Sequence, residues 1–583
     1  MGNNISPYSA PFAKLVVRTP IFKPQINSPM TVADYLVAYL KAAGVKNIYG
    51  FPGMPLLPFL EAIRKQDDVK WILTRHENAA ALAAAANAKL TGELSVCVST
   101  SGPGVLQTVC GVMDAHLDGA PLLALTGMVP TANQGHWEFQ DINQTSLYSA
   151  LLPFSASCVN PLQMPALLRN AIGYSIKNNC ATHLSLSQDV LAATIDDHNP
   201  YYAIDPKRLP VKIKLLSPPQ EALNIAAGQI DSYKQVVIVI GSRAVDCGDA
   251  IERLAQKINA PIITTLDAKG IVNEDSPNCL GVLGIFGFPA VETTKKMLTD
   301  ADLVLAFGVD TLKPFLTNDH DTQVRDLIEC EPDFASLSQH YHRRGTLIGN
   351  LGAIAEGLAQ RLQHKMSRGV IDHFVEERNE GKQQLIEFIK GHYHKEYVHP
   401  ISFFMALNRY QNEGQIYAVD TGAHTVWLGQ YLTISHKQRL LVSSRLGTMG
   451  FCLPALIAAR LEKPEATQVI GVCGDGGFSM TSAELATAVQ YQLPIILIVF
   501  VNTVLQNVMA QQPVSFGTTL HNPDIVALAK AYGCEAALID GTTDMDAVLQ
   551  EAFKPRKVPF VISLMCDPDL GVPLSKWQVS PGF

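Results

Sequence analysis

Charge and aromatics are sparse in this sequence, and its cysteines show no paired spacing. Asp, Glu, Lys and Arg make up 17% of 583 residues, and Phe, Trp and Tyr 7%. No Lys/Arg run interrupts a mildly acidic balance of −8, which argues against nucleic acid as the main partner. The eleven cysteines are scattered and include no C-x-x-C. That argues against a disulfide framework or zinc site and for a reducing cytoplasm. No apolar run reaches the roughly 18 residues of a membrane span; the longest, Leu493–Val501, fits one buried strand. The first 29 residues lack a signal-peptide pattern. Met1-Gly2-Asn3-Asn4-Ile5-Ser6 fits the short myristoylation pattern M-G-x-x-x-S, and also a loosely packed leader.

What is present is apolar: 47% of residues are hydrophobic, and the length suits about three to four domains. Short apolar runs alternate with helical patterns. Examples are Ser95–Ser99, Leu122–Thr126, Val236–Ile240, Ile262–Thr265, Leu303–Phe307, Val469–Val472, Ile495–Val501 and Phe560–Leu564, with helices at Ala79–Leu90 and Ala483–Gln490 between them. The alternation predicts an α/β protein with doubly wound parallel sheets buried on both faces. Two polar or proline-rich passages, Asp196–Pro219 and Gln363–Pro400, read as linkers. They predict a leader at 1–29, blocks at 30–195, 217–362 and 395–570, and a tail at 571–583.

In the third block the strand ending at Cys473 runs into Gly474-Asp475-Gly476-Gly477, and 27 residues after Asp475 the next apolar strand ends at Asn502. Both side chains then follow C-terminal ends of parallel strands, where open α/β sheets bind ligands. A carboxylate and an amide oxygen are hard ligands suited to Mg²⁺. The glycines let backbone approach a diphosphate, and a helix expected to start near Ser482 turns its N-terminus to negative charge. A plain strand–turn–helix also accounts for a lone GDG; the Asn at this distance is what favours a metal.

GDG followed by Asn at this distance resembles the thiamine-diphosphate (ThDP) motif of the ThDP-dependent 2-oxo acid decarboxylase/oxidase family. The resemblance implies that Asp475, Asn502 and the Val504 carbonyl bind Mg²⁺. It implies that Gly474, Gly476 and Gly477 face the diphosphate. Asp420-Thr-Gly422-Ala423-His424 resembles the family's first diphosphate loop, and Ser444-Arg-Leu-Gly447-Thr448-Met449-Gly-Phe451 the loop beneath the cofactor, with Met449 as the wedge that bends it. Met449 alone reads equally as a core methionine.

In the first block Arg75-His76-Glu77-Asn78-Ala79-Ala80 resembles the family's R-H-E-x-x-A-A, although a Glu in a first helical turn ordinarily just complements the dipole. The resemblance implies that Glu77 hydrogen-bonds N1′ of the aminopyrimidine, so that the 4′-imine can remove the C2 proton. It implies that Glu77 and the Mg²⁺ site of one active centre come from different chains, in a homodimer or homotetramer. Gly50-Phe-Pro-Gly53, Thr100-Ser-Gly-Pro-Gly-Val105 with Asp114-Ala-His-Leu-Asp-Gly-Ala-Pro121, and Phe139-Gln140-Asp141 extend the match. Phe139 and Gln140 would reach the partner chain's thiazolium; Asp141 departs from the usual Glu.

Within the family, the spacing looks most like the bacterial pyruvate oxidases, with acetolactate synthases second. This implies decarboxylation of pyruvate or a similar 2-oxo acid, with oxidation to acetate through FAD. Simple decarboxylation, carboligation, and ThDP binding without turnover are the alternatives. Gly281–Phe288, Asn502-Thr-Val-Leu505 and Val572-Pro-Leu…Gly582-Phe583 carry the oxidase likeness. Synthases place a Trp where this chain has Gln511, and quinone-type oxidases continue into a membrane-binding tail. A central FAD would lie near Gly241, Gly284–Gly287, Gly308-Val309-Asp310 and Glu329-Cys-Glu331, with Gly287 lining it and Glu329 at a strand end holding ribose or adenine; the same turns also suit a vestigial nucleotide fold that binds nothing or ADP.

Overall fold

The computed structural model describes residues 30–570, except 197–198, 206–208, 211–214, 286–287, 290–291, 310–325, 338–342, 436 and parts of 364–395. Gly2, Gly287, Asp310 and the segment Val572–Phe583 lie outside the described residues.

Runs such as Val236–Ile240 and Ile496–Val501 are buried at every position, as strands covered on both faces must be. They assemble into three six-stranded sheets, each parallel throughout. The first holds β1 (Asn47–Gly50), β2 (Lys70–Leu73), β3 (Ser95–Ser99), β4 (Leu122–Met128), β5 (Ser155–Cys158) and β6 (Ala181–Ser187), in the order β2-β1-β3-β4-β6-β5. The second holds β7 (Val236–Ile240), β8 (Ile262–Thr264) and β9 (Cys279–Val282). After a two-residue antiparallel ladder, β10 (Gly284–Ile285) with β11 (Phe288–Pro289), it continues with β12 (Leu303–Phe307), β13 (Leu327–Glu331) and β14 (Arg343–Ile348). Its order is β14-β13-β12-β7-β8-β9. The third holds β15 (Ile416–Val419), β16 (Arg439–Leu441), β17 (Val469–Gly474), β18 (Ile496–Val501), β19 (Glu535–Ile539) and β20 (Phe560–Met565), ordered β16-β15-β17-β18-β20-β19.

The helix Glu77–Thr91 joins the first and third units. Its residues Ala79–Ala88 are all buried, the mark of a helix packed on every side. Alanines keep it thin, and Gly111 of the helix Pro103–Leu117 lets a second helix close on it: a Cβ at Gly111 would lie 2.6 Å from Ala81 Cβ. On another face it meets Cys452–Glu462, so one apolar core runs from Ala80–Ala88 to Phe451, Leu453 and Leu456. The first and third blocks, separate in sequence, share this core.

The two expected linkers are partly packed. Tyr202 is buried against Tyr35, centroids 5.4 Å apart. Residues 371–376 are helical, with Phe374 in the core of the second unit. Among the described residues no helix is long and apolar enough to cross a membrane. All eleven cysteines are free thiols.

His183 of β6 is buried between strands. Its Nε2 lies 2.7 Å from Thr126 Oγ1 and its Nδ1 2.9 Å from Ser155 Oγ, and the ring stacks on Tyr148 at 4.2 Å. Burial pulls its pKa down to about 3 from an ordinary 6.5. As pH falls, the unfolded chain therefore takes up this proton first. The stability His183 contributes is complete above pH 6.5 and is lost as pH drops toward 3. Denaturant midpoints measured across this window should fall with acid, and less steeply in His183→Gln.

Candidate functional site

β17 and β18 lie side by side with Gly474 opposite Phe500, so Asp475 and Asn502 emerge together at their C-terminal ends. The helix begins at Asp475 itself, Asp475–Thr481, and a second helix follows at Glu484–Gln490. This corrects the expected helix start near Ser482: Asp475, Gly476 and Gly477 form the first helical turn. Asp475 is buried at 2% exposure. Its Oδ1 accepts Gly476 N–H at 2.9 Å; its Oδ2 accepts Thr503 N–H at 2.7 Å and Asn522 Nδ2–H at 2.8 Å. Burial pushes its pKa above the ordinary carboxylate range against these donors.

Thr503 adopts φ 59°, a left-handed conformation rare for a branched residue. The turn wraps Asn502–Val504 around the Asp475 carboxylate. Asn502 Nδ2 donates to Gln506 Oε1 at 3.2 Å, and Asn502 Oδ1 accepts Val504 N–H at 3.3 Å. Leu505 N–H to Thr518 O, 2.8 Å, and Leu520 N–H to Thr503 O, 2.7 Å, brace the turn from outside.

Asp420, at the end of β15, ties the neighbouring loop down. Its carboxylate accepts Thr421 N–H (3.0 Å), Gly450 N–H (2.9 Å) and Phe451 N–H (3.2 Å). Burial nonetheless pushes its pKa up to about 7. Gly477 must be Gly, because a Cβ there would lie 2.1 Å from Asp420 Oδ2. Burial brings His424 down to about 4, leaving a neutral ring whose Nε2 sits 3.1 Å from Asp420 O, with Gly422 and Gly474 packed against its face. Ala423 starts the helix Ala423–Tyr431. A Cβ at Gly476 would lie 3.1 Å from Met449 Cε and 3.0 Å from Leu505 Cδ2, so Met449 leans over the GDG turn. Gly447 stands beside Thr421, and Thr448 N–H donates to Ser443 Oγ at 2.8 Å.

The first-unit residues form a second cluster. A Cβ at Gly53 would lie 2.1 Å from Thr100 Oγ1, and one at Gly104 would lie 2.8 Å from Thr100 Cγ2 and 3.4 Å from Glu77 Oε1. Glu77 is thus brought to the Thr100–Gly104 turn, half-buried, as the first residue of its helix; His76 Nδ1 caps that helix by accepting Asn78 N–H at 3.1 Å. Gln140, at φ 64°, packs on Gly102 and accepts from Ser101 Oγ at 3.5 Å. Phe139 beside it is 86% exposed. Asp141 is used internally, accepting Gly135 N–H at 2.8 Å and Trp137 N–H at 3.1 Å.

A buried ion network holds the two clusters in register. Lys89 Nζ lies 2.6 Å from both Asp114 and Asp118 and donates to Val442 O at 3.1 Å. Asp118 in turn accepts Ser444 N–H (3.0 Å), Ser444 Oγ–H (2.9 Å) and Arg445 N–H (2.9 Å). The D-A-x-x-D segment therefore anchors the loop leading to Met449, a role its sequence did not reveal.

In the central unit, Gly241 and Glu329 are held by neighbours within the fold. Gly241 is required by its neighbour: a Cβ would lie 2.2 Å from Gly308 O. Glu329 sits mid-strand in β13, 3.2 Å from Arg343, and not at a strand end. The carboxylate at that end is Glu331, paired with Arg243 at 2.8 Å.

The donor sets suit thiamine diphosphate and a divalent cation. Thr421 Oγ1 beside Gly447, and Ser99 Oγ and Thr100 Oγ1 beside Glu77, are buried without a partner among the described residues. Such hydroxyls await a ligand or water. Among the described residues no three His, Cys, Asp or Glu side chains cluster as a metal site; a hard cation beside Asp475 would draw its other ligands from amide, carbonyl, phosphate or water oxygens. Residues 30–147 match the N-terminal TPP binding domain of the thiamine pyrophosphate enzymes, 223–358 their central domain, and 420–564 their C-terminal TPP binding domain. A putative thiamine pyrophosphate-containing protein, YdaP, of Bacillus subtilis is 32% identical over 546 residues, 92% of this chain and 91% of that one. The chain belongs to the thiamine pyrophosphate enzyme family. A probable acetolactate synthase large subunit of Methanocaldococcus jannaschii is 31% identical over 577 residues, covering 95% and 94% of the two chains. A pyruvate oxidase of Lactiplantibacillus plantarum is 27% identical over 542 residues, covering 90% and 83%.

Proposed function

We propose that this family member decarboxylates a small 2-oxo acid, pyruvate in the first instance, using thiamine diphosphate and Mg²⁺. The observation that carries the reading is the juxtaposition of the buried Asp475 carboxylate with the Asn502–Val504 turn, whose left-handed Thr503 donates its N–H to Asp475 Oδ2 at 2.7 Å. When bound, thiamine diphosphate supplies the ring that accepts the electrons released with CO₂. Asp475, Asn502 and the Val504 carbonyl would hold Mg²⁺. Gly474, Gly476, Gly477 and the Gly422–His424 loop would face the diphosphate, with Gly447, Thr448 and Met449 beneath the cofactor. Glu77 would hold the proton at the aminopyrimidine nitrogen. Phe139 and Gln140 would reach across to a second copy, making a homodimer or homotetramer the active unit. Free thiols throughout suit a cytoplasmic setting.

Removing the Asp475 carboxylate should cost Mg²⁺ and, with it, the diphosphate. In calorimetric titrations Asp475→Ala should lose the Mg²⁺-dependent part of ThDP affinity; wild-type affinity that still needs Mg²⁺ would place the metal elsewhere.

For the product-forming half we favour oxidation to acetate through FAD on the central unit. The pyruvate oxidase likeness over 90% of the chain supports it. So does Gln511, which is exposed, donates to Asn507 O of its own turn at 3.1 Å, and gives a second 2-oxo acid no bulky wall. Gly241 and Glu329 give it no support. A second reading, carboligation with another 2-oxo acid, is favoured by the synthase likeness over 95% of the chain. Purified protein should be yellow, bleach anaerobically with pyruvate, and release acetate. Colourless protein that takes up no flavin, or acetolactate as main product, would overturn the oxidase reading.

A further inference from the structure

The helix Glu484–Gln490 and its capping residue Tyr491 grip the backbone that leads to Glu77. β2 is an outer strand of the first sheet, and outer strands leave backbone groups unpaired. Here a helix of the third unit takes them. The Tyr491 hydroxyl accepts Leu73 N–H at 2.8 Å and donates to Trp71 O at 3.1 Å. Glu484 is 1% exposed, and its Oε1 accepts Arg75 N–H at 2.8 Å. Its Oε2 accepts from Thr487 Oγ1 at 2.6 Å. The Arg75 side chain closes the grip on Gln490 Oε1 at 2.7 Å and Leu73 O at 3.2 Å.

We propose that Glu484 is a positioning residue for Glu77, acting through the backbone N–H of Arg75. The inference rests on the proposed role of Glu77 as proton holder for the aminopyrimidine. The next residue after His76 is Glu77, whose carboxylate already reaches the Thr100–Gly104 turn. A carboxylate can accept from Arg75 and Thr487 together. An amide keeps the Arg75 N–H only as a neutral and weaker acceptor, with its NH2 turned to the Thr487 hydroxyl. The buried negative group thus holds a backbone donor two residues ahead of the proposed acid–base group, where a small displacement of a reacting group is costly.

The test uses holoenzyme loaded with thiamine diphosphate and Mg²⁺ and reads H/D exchange at C2, with kcat and KM for pyruvate, in Glu484→Gln, Glu77→Gln and the double variant. Glu484→Gln should slow exchange and kcat by about 10- to 100-fold, with KM and ThDP affinity within about threefold. The double variant should be no slower than Glu77→Gln alone, as expected when one residue acts through the other. In the cofactor-free protein, hydrogen-exchange mass spectrometry should show lost protection in peptides covering residues 71–77. Wild-type C2 exchange in Glu484→Gln, or additive losses in the double variant, would overturn the proposal. Wild-type exchange in Glu77→Gln would instead overturn the reading of the site. Should Glu484→Gln fail to fold, Thr487→Val, which frees the carboxylate to swing, should slow C2 exchange several-fold, and no change would count against Glu484.

Discussion

Glu77→Gln should slow C2 exchange in bound thiamine diphosphate by about 10²-fold or more, the lower end of what a positioned acid–base group supplies. Gln matches Glu in length and hydrogen-bonds comparably, but it cannot share a proton with a ring nitrogen. The site tolerates the swap sterically. Glu77 is the first residue of its helix, and the helix is capped independently by His76 Nδ1. Losing a negative charge from a first turn costs about 0.3–1 kcal/mol, against a core in which Ala79–Ala88 are all buried. The variant should therefore fold, bind thiamine diphosphate with little loss, and release almost no CO₂ from pyruvate. Exchange monitored by quench and NMR of the cofactor is the direct measurement. Near-wild-type exchange would remove Glu77 from the reaction, and failure to bind cofactor would make its role structural.

The sheets were legible because their strands are buried on both faces: Val236–Ile240 and Ile496–Val501 read as strands from apolar β-branched runs alone. The GDG turn and Asn502 were legible because the chemistry constrains residue type and spacing together. The helix start at Asp475 was not, since a glycine-rich stretch reads as loop, and here its glycine is required by the close approach of Asp420, far back along the chain, to Gly477. Glu329 was misplaced by two residues within an apolar strand, where only the pairing of Glu331 with Arg243 shows which carboxylate reaches the end. Glu484 and Lys89 acquire their meaning from partners in other units, and Asp420 from partners about thirty residues on. Thr503 is invisible for a different reason: a branched residue is a poor candidate for left-handed backbone, and the structure imposes it around the Asp475 carboxylate.

Lys89→Met should be the most destabilising of the substitutions considered. The side chain is 11% exposed, with Asp114 at 0% and Asp118 at 5%. Burial disfavours the ammonium, yet Asp114 and Asp118 hold its pKa above the ordinary value. Burial likewise drives Asp114 up, while Lys89 and the Ser444 donors draw Asp118 down despite its burial. Methionine fills the volume and keeps contact with the Phe451 ring, over which Lys89 Nζ lies at 4.6 Å. What it removes is the charge between two buried carboxylates, and breaking such a group by deleting one partner costs about 3–5 kcal/mol. The damage should spread in a defined direction. Asp118 is the anchor for Ser444 and Arg445, so the loop carrying Gly447, Thr448 and Met449 should loosen and thiamine diphosphate affinity should drop with stability. Adding Asp118→Asn to Lys89→Met should recover part of the unfolding midpoint, because it ends the repulsion, but little of the cofactor affinity, because an amide retains only part of the Ser444–Arg445 grip. Denaturant midpoints and ThDP titrations of the single and double variants measure the two effects separately. Equal recovery of both would mean that the network stabilises the core without holding the loop.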